Sequence, residues 1–345
     1  MRGGSSAPVP HTANRKPHTV TLPTNLYEQQ KRNIARTRVI LVGFVAFLAF
    51  LGIGADVFLY GSGVGPGFPI ATLGAVCLGG FSAWWALEGG DKAVLESTHA
   101  VPIDLRDPKQ KMLEDIVQEM TIAAGLPKPA IYVIPDPDPN AFATGRGPEK
   151  SSIAVTEGLL RTLNREELQA VVSHEMSHVK NYDIRVMTVV AALVGSVLLL
   201  SDWGRRGLWW GGGRRRSSDG GGGGGGLVAL VFFVVWVVSL VLAPLIAQLV
   251  AMAVSREREY LADASGAELT RNPLALASAL EKIDAAAAPT ESIKQGVAHL
   301  CIEDPRGRAI NDREGAWANL FSTHPPIARR IALLREMAYQ TAGRA

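Results

Sequence analysis

Cysteine is scarce in this chain, and so is any excess of charge. Only two cysteines occur among the 345 residues, and Cys77 and Cys301 are too few and too far apart to form a disulfide framework. A reducing compartment is therefore expected for the soluble part of the protein. The formal net charge of +3 is too small to suggest binding to nucleic acid, and the basic residues are not striped with aromatics. We therefore predict no nucleic-acid partner.

Long apolar runs, in contrast, are plentiful. Hydrophobic residues make up 47% of the chain, which is a high share for a soluble enzyme. Residues 39–60 and 68–87 each have about the ~20 apolar residues that a membrane-spanning helix needs. Asp56 lies near the end of the first run, where a position at the membrane interface is expected. The pattern predicts a transmembrane hairpin over residues 39–88, with the lipid bilayer as a partner.

The segment before the first apolar run predicts the orientation. Residues 1–38 are rich in Gly, Pro, Ser and Thr and carry many basic residues with a single acid, Glu28, a composition typical of a disordered basic tail. Basic segments stay on the cytoplasmic side of a membrane, and the turn between the two runs is uncharged. The tail and the residues after Glu88 are therefore expected in the cytoplasm.

A second membrane hairpin is predicted over residues 186–254. Its apolar runs, 186–200 and 227–254, flank a loop, 201–226, that is rich in glycine and arginine. Two full spans would place these arginines outside, against the positive-inside rule. A shallow re-entrant or peripheral hairpin is therefore an alternative. In either case the fold class is a mainly α membrane protein with about four membrane-embedded helices.

Soluble character returns on both sides of this insertion, in residues 89–185 and 255–345. The first half contains a predicted helix from Gln110 to Ala124, then strands from Ala130 to Ile134 and from Ser152 to Thr156. A polar loop, Pro135 to Lys150, is expected between the strands. The second half reads as helical throughout. We expect the two halves to form one helical catalytic domain with a small β-sheet.

The chemistry is concentrated in one HExxH match formed by His174, Glu175 and His178. On a helix, the two histidines lie one turn apart and point to the same place, as two ligands of a tetrahedral zinc do. Glu175 is then near enough to take a proton from a water at the metal. Asn164, with Glu167 three residues later, predicts the start of this helix. The alternative is an amphipathic helix with two chance histidines.

A catalytic zinc needs a third protein ligand. Tyr182 and Asp183 stand in the region where an extended HExxH pattern would supply another histidine, so a carboxylate on a second helix is the other choice. Glu259 and Asp263 share one helical face, and one acid can bind the metal while the other holds a histidine N–H. Rivals for the ligand position are Glu257 and Glu268. A solvated helix of alternating charge is the alternative.

Five stretches, in this order along the chain, resemble the HtpX family of integral-membrane zinc metallopeptidases, distant relatives of the CaaX prenyl proteases. They are PDPDPNAFATG (135–145), IAVTEGLL (153–160), HEMSHVKN (174–181), SREREYLAD (255–263) and STHPPIARRI (322–331). The resemblance implies a zincin-like catalytic domain with one zinc ion per subunit, Glu259 as the third ligand and Asp263 as its companion. It also implies that His324 and Arg330 lie near the site.

Further roles follow from this resemblance. His324 would donate to the developing oxyanion, or simply begin a helix, and Arg330 would form a salt bridge within the site. Asn140 and the strand residues Ile153, Ala154 and Val155 would line a cleft in which a substrate adds as an extended strand. The alternative for Asn140 is a turn residue after Pro139.

The predicted function is that of a membrane-anchored zinc endopeptidase with a cytoplasmic active site. The resemblance implies proteolytic quality control of misfolded or damaged membrane proteins in a bacterial inner membrane. A peptidase of the CaaX prenyl type and a non-proteolytic, zinc-stabilised membrane scaffold are alternatives. A transporter or channel subunit is a third, although it predicts more ionisable residues within the apolar runs than Asp56.

Overall fold

The computed structural model describes residues 26–61, 68–194, 256–286, 300–303 and 325–342. In these ranges the chain is mainly helical, with one small mixed sheet, as predicted. The helices are α1 (Leu26–Gly61), α2 (Ile70–Glu88), α3 (Gly90–Ser97), α4 (Pro108–Ala124), α5 (Glu157–Thr162), α6 (Arg165–Lys180), α7 (of which residues 183–194 are described), α8 (Arg256–Thr270), α9 (Pro273–Ala285) and α10 (Ile327–Ala342). The strands are β1 (Val101–Pro102), β2 (Ala130–Ile134), β3 (Ala141–Gly147) and β4 (Lys150–Thr156).

Two of these helices are long and apolar enough to cross a membrane. The stretches concerned are Gln30–Val57 in α1 and Ile70–Glu88 in α2, and many of their large apolar side chains are exposed on the protein, among them Val39, Val42, Phe81 and Trp84. Exposed apolar faces of this kind are expected to contact lipid. Of the second predicted hairpin, residues 195–254 lie outside the described residues, so the total of four membrane helices stays a prediction.

Asp56 has a structural partner within the first hairpin. It is 6% exposed, and its carboxylate accepts hydrogen bonds from the backbone N–H groups of Ala71 (3.0 Å) and Thr72 (2.8 Å) and from the Thr72 hydroxyl (2.7 Å). These N–H groups belong to the first turn of α2, where backbone donors have no partner within the helix. Asp56 therefore ties the end of α1 to the start of α2.

The first helix begins earlier than predicted. Residues 26–38, expected to belong to the disordered tail, form the N-terminal part of α1. The reason is a tertiary contact. Gln30 donates to the Lys180 carbonyl at 3.0 Å, and the buried Asn33 donates to the Asn181 carbonyl at 2.9 Å and to Asp183 at 2.7 Å. Polar residues that look solvated in the sequence thus hold α1 against the catalytic domain.

The sheet contains a strand that the sequence reading missed. Its order is β1-β2-β4-β3, and β3 falls inside the segment predicted to be a polar loop. Gly145 and Gly147, which usually indicate turns, lie within this strand, and the pairing register shifts between them. Gly145 has φ +139°, and a side chain there would meet the Lys150 carbonyl oxygen at 2.2 Å. A tight hairpin therefore runs from β3 into β4.

The core fixes α6 in the middle of the catalytic domain. Its residues Leu168, Val171 and Val172 are fully buried together with Leu113 and Ile116 of α4 and with Leu276 and Leu280 of α9. The predicted cap of α6 by Asn164 is confirmed, and Asn272 accepts from the N–H of Ala275 at the start of α9. A helix packed on all sides holds its side chains in defined rotamers, which a metal site requires.

Candidate active site

The HExxH residues lie in the last two turns of α6, deep inside the domain. His174, Glu175 and His178 are 0%, 1% and 3% exposed. The start of the helix is held by the predicted capping box, in which Asn164 accepts from Glu167 N–H and Glu167 accepts from Asn164 N–H, both at 2.9 Å. Such a reciprocal cap fixes where the helix begins and therefore which way its later residues face.

Helix α8 crosses α6 at very short range, and a glycine makes this possible. A side chain on Gly266 would come within 2.9 Å of the backbone nitrogen of His174. The close crossing brings Glu259 between the two histidines. Its Oε2 lies 3.5 Å from His174 Nε2, and its Oε1 lies 3.5 Å from His178 Nε2. One ligand atom from each of the three residues lies within 4.8 Å of the other two.

This donor set fits zinc. Ligand atoms about 2.1 Å from a tetrahedral zinc are about 3.4 Å from one another, close to the two 3.5 Å separations. His174 Nε2 and Glu259 Oε2 are buried and make no hydrogen bond within the described residues, which leaves their lone pairs for a cation. Burial lowers the pKa of His178, but Asp183 and Glu259 outweigh it and raise that pKa to about 10. The site therefore favours positive charge.

Glu175 is placed beside this donor set but is not part of it. Neither of its carboxylate oxygens has a hydrogen-bond partner in the described part of the chain. Burial raises the pKa of Glu175, the nearby His174 and His178 oppose that rise, and the net shift is upward. A carboxyl group whose pKa moves towards neutrality is suited to accept and return a proton near pH 7.

Asp263 and Arg330 form the layer behind His174. His174 Nδ1 lies 3.0 Å from Asp263 Oδ1, and Arg330 donates to both oxygens of Asp263, at 2.8 and 2.7 Å. Burial alone would raise the pKa of Asp263, but the charge and hydrogen bonds of Arg330 lower it. Arg330 Nη1 also lies 3.4 Å from Glu259 Oε2. A charged aspartate thus faces the ring nitrogen that points away from the donor cluster.

Behind His178 lies a second carboxylate that the sequence reading did not assign to the site. His178 Nδ1 is 3.2 Å from Asp183 Oδ2, and Asp183 is completely buried. Arg258, next to the ligand Glu259, is buried as well, and its Nη1 lies 3.8 Å from Asp183 Oδ1. The position of Asp183, five residues after His178, was a usable signal, because a turn after the helix can fold the acid back beneath the histidine.

One rival of Glu259 for the ligand position lies outside the cluster. Glu268 is exposed, further along α8, and the side chain of Glu257 is outside the described part of the structure. His324 also lies outside the described residues, so its role stays a prediction.

Asn140 is 2% exposed and fixed at the start of β3, where its Oδ1 accepts from Ala141 N–H and its Nδ2 donates to the Glu303 carbonyl at 3.2 Å.

The strand that holds Ile153, Ala154 and Val155 has no free edge to which a substrate strand could add, and whether these residues line the substrate cleft stays a prediction. These residues belong to β4, which pairs with β2 on one edge and with β3 on the other. An interior strand has no free edge to offer. Next to β4, on one edge of the sheet, lies β3, where Phe142 forms a bridge with Cys301 and Ala141 accepts from Ile302 N–H at 2.9 Å. Residues 300–303 thus lie along that edge.

Comparisons with known proteins show which family the chain belongs to. The model of peptidase family M48 matches residues 107–338. The chain is 40% identical over 315 residues to a protein of Thermoanaerobacter pseudethanolicus described as "Protease HtpX homolog", covering 90% of this chain and 98% of that relative. A Streptococcus gordonii protein with the same description is 39% identical over 312 residues, covering 90% of this chain and 100% of the relative.

A solved structure is also similar, that of S. mikatae Ste24p, with 16% identity and a TM-score of 0.44 over 89% of this chain and 67% of that one. The family model spans more than half of the chain, and the two bacterial relatives match it over nearly their whole length. With its HExxH helix and its apolar helices, the chain belongs to peptidase family M48 and, within it, to the HtpX proteases, which are membrane-bound metallopeptidases.

Proposed function

We propose that the enzyme holds one zinc ion per subunit on His174, His178 and Glu259, and that Glu175 is its general base. The observation that carries this proposal is the buried set of three donors with separations of 3.5 Å between Glu259 and each histidine. Such a set of three protein ligands leaves a fourth position for water or substrate, as in catalytic zinc sites. A purely structural zinc is usually closed by four protein ligands.

The protein groups then divide the work of peptide hydrolysis. When bound, zinc would polarise the scissile carbonyl and lower the pKa of a water molecule. Glu175 takes the proton of that water and passes it to the leaving amine, for which its raised pKa is suited. Asp263 and Asp183 face the Nδ1 atoms of His174 and His178. In this way each carboxylate holds a ring so that its Nε2 points at the metal position.

The substrate chain pairs, in this proposal, with the outer edge of β3 at Ala141 and Phe142, in place of residues 300–303. The support is that these residues use the edge as an added strand would, through the Ala141 carbonyl and the bridge at Phe142. Addition of an extended peptide to a sheet edge provides main-chain hydrogen bonds that do not depend on the substrate's sequence. Such a mode suits a protease with varied protein substrates.

The active site lies in the cytoplasm, and the natural substrates are misfolded or damaged proteins of a bacterial inner membrane. Support for the orientation comes from the basic residues on α1 directly before its apolar stretch, which are exposed: Lys31, Arg32, Arg36 and Arg38. Such residues favour the cytoplasmic side. Support for the biology comes from the two bacterial relatives, both described as proteases.

The test is cleavage of an unfolded, unmodified protein by detergent-purified enzyme, with Glu175→Gln as the comparison. Bound zinc is counted in both proteins, and each is assayed with added zinc and with a chelator. Zinc-dependent cleavage that Glu175→Gln loses, while it still binds one zinc, is the expected result. Cleavage by Glu175→Gln at the wild-type rate would overturn the assignment of the base. Cleavage only of a prenylated peptide would favour a CaaX-type peptidase, and bound zinc without any cleavage a scaffold.

A further inference from the structure

In the described part of the structure, the side chain of Asn33 connects the first membrane helix to the metal site. Asn33, in the N-terminal part of α1, donates from Nδ2 to Asp183 Oδ1 at 2.7 Å and to the Asn181 carbonyl at 2.9 Å. Asp183 uses its other oxygen, Oδ2, to face His178 Nδ1 at 3.2 Å. Asn33, Asp183 and His178 are 1%, 0% and 3% exposed, so water competes little for these contacts.

We propose that Asn33 is a positioning residue of the metal site: it fixes the carboxylate of Asp183, and Asp183 in turn orients the His178 ring. The inference rests on the proposed ligand set, in which His178 Nε2 faces the metal position and Nδ1 carries the proton. A histidine ligand whose second nitrogen donates to a fixed carboxylate is held in one tautomer and one orientation. Changes in such outer partners typically cost 10- to 100-fold in metal affinity or activity.

The position of the Asp183 carboxylate explains why it needs a hydrogen-bond donor from another helix. It follows a turn in which Tyr182 has φ +59°, and this turn folds the chain back beneath the last turn of α6. Its nearest arginine or lysine nitrogen among the described residues is Nη1 of Arg258, 3.8 Å from Oδ1, too far for a hydrogen bond. Asn33 therefore supplies the direct donor to Oδ1, and without it a buried carboxylate oxygen loses a hydrogen bond, which is costly.

The geometry makes metal affinity depend on how α1 is seated. Asn33 bonds two points of the turn at once, the Asn181 carbonyl and the Asp183 side chain. One helical turn earlier, Gln30 bonds only the Lys180 carbonyl, at 3.0 Å. Both residues dock α1 on the end of α6, but of the two only Asn33 bonds to Asp183, the carboxylate that faces the proposed zinc ligand His178. This difference provides a matched pair of variants.

The experiment uses the full-length protein in detergent and measures its zinc dissociation constant by competition with a chromophoric chelator. Asn33→Leu keeps a similar volume but cannot donate, and Gln30→Leu removes a docking bond without touching Asp183. We expect Asn33→Leu to weaken zinc binding by about 10- to 100-fold and Gln30→Leu to change it less than threefold. An unchanged affinity in Asn33→Leu, or equal losses in the two variants, would overturn the proposal.

A double-mutant cycle adds a readout that general loosening of the fold would not produce. In an Asp183→Asn background, Asn33→Leu should cost little further affinity, because the carboxylate that it fixes is gone. Full additivity of the two losses would contradict the relay. If Asn33→Leu does not fold, Asn33→Ala takes its place under the same criteria. A wild-type protein that binds no zinc would refute the metal site itself, which is a different outcome from a failure of the relay.

Discussion

Arg330 on α10 and Asp263 on α8 form a two-pronged salt bridge directly behind the first histidine of the site. The guanidinium donates from Nε to Oδ2 at 2.8 Å and from Nη2 to Oδ1 at 2.7 Å, and Arg330 is 1% exposed. Its third nitrogen, Nη1, donates to the Ile302 carbonyl at 2.8 Å. One buried arginine therefore connects three parts of the chain: α8, α10 and the segment on the edge of the sheet.

Replacing Arg330 by lysine should impair the site although the charge is kept. A lysine has one nitrogen and cannot serve both Asp263 oxygens and the Ile302 carbonyl in the planar geometry of a guanidinium. We expect zinc affinity and kcat/KM each to fall about 10- to 100-fold. The control is Arg329→Lys, the same change one residue earlier, at an exposed position over the Tyr260 ring. Equal effects of the two substitutions would show that the bidentate pair has no special role.

Gly266 should not tolerate even a methyl group. A Cβ at this position would lie 2.9 Å from the His174 nitrogen and 3.0 Å from its Cα, and the backbone of α6 cannot move aside without displacing a ligand. We expect Gly266→Ala to destabilise the protein by about 1 to 3 kcal/mol and to weaken zinc binding. Thermal unfolding in detergent and chelator competition measure the two effects.

Gly74→Ala is the control for this substitution. Gly74 also lies within a helix, α2, but a Cβ there meets nothing within 4 Å. Alanine is the better helix former, so the unfolding midpoint of Gly74→Ala should stay the same or rise. If both alanine variants behave like the wild type, the crossing of α6 and α8 has more room than the structure indicates.

The features that sequence could predict are the local ones. His174 and His178 are four residues apart, and the Asn164–Glu167 capping box is closed within three, so helical periodicity alone brings their groups together. The pairing of Glu259 with the histidines is not local, and it was predicted from a shared helical face and from family resemblance. The glycine that permits this approach, Gly266, carries no sequence signal of its own.

The structural features that were not predicted from the sequence depend on tertiary contacts. Asn33 and Asp183 are 150 positions apart, and Asn33 stands in a segment whose composition is typical of disorder. Strand β3 was assigned to a loop because Gly145 and Gly147 resemble turn residues, whereas its pairing with β4 is what makes it a strand. This pairing also makes β4 an interior strand, between β2 and β3. Neither hydrogen-bond partners nor strand order can be deduced from local pattern.

A disulfide between β3 and its edge segment should switch the enzyme off. Phe142 and Cys301 are partners in an antiparallel bridge, and partners of this kind have Cα separations within the range of a disulfide. In Phe142→Cys on a Cys77→Ser background, oxidation should lock residues 300–303 on β3. We expect cleavage of an unfolded protein to be lost on oxidation and to return with a reductant.

Two comparisons make this result interpretable. The reduced form of the Phe142→Cys variant reports the cost of losing a buried phenylalanine, so only the change on oxidation counts. Adding Cys301→Ser to that variant removes the disulfide and should remove the response to oxidant. An oxidised, cross-linked enzyme that cleaves protein as fast as its reduced form would contradict substrate addition at this part of the β3 edge.

Glu167 should give a pH-dependent contribution to stability. Burial opposes its charge, but hydrogen bonds from Lys282, the Asn164 N–H and Ser278 prevail and lower the pKa of Glu167 below 4.5. A lowered folded-state pKa means that the stabilisation is fully present above about pH 4.5, the ordinary value, and is lost as the pH falls through the folded-state pKa. Glu167→Gln keeps the size of the side chain and the capping function. It should therefore reduce the free energy of unfolding by about 1 kcal/mol at pH 7, and its difference from the wild type should shrink below pH 4.5.

Glu281→Gln, which breaks an exposed pair with Arg335, should cost less than about 0.5 kcal/mol at either pH. Thermal unfolding midpoints of the three proteins from pH 7.5 to pH 4 provide the measurement. A Glu167→Gln deficit that stays constant over this range would mean that the capping bonds, and not the carboxylate charge, provide the stabilisation.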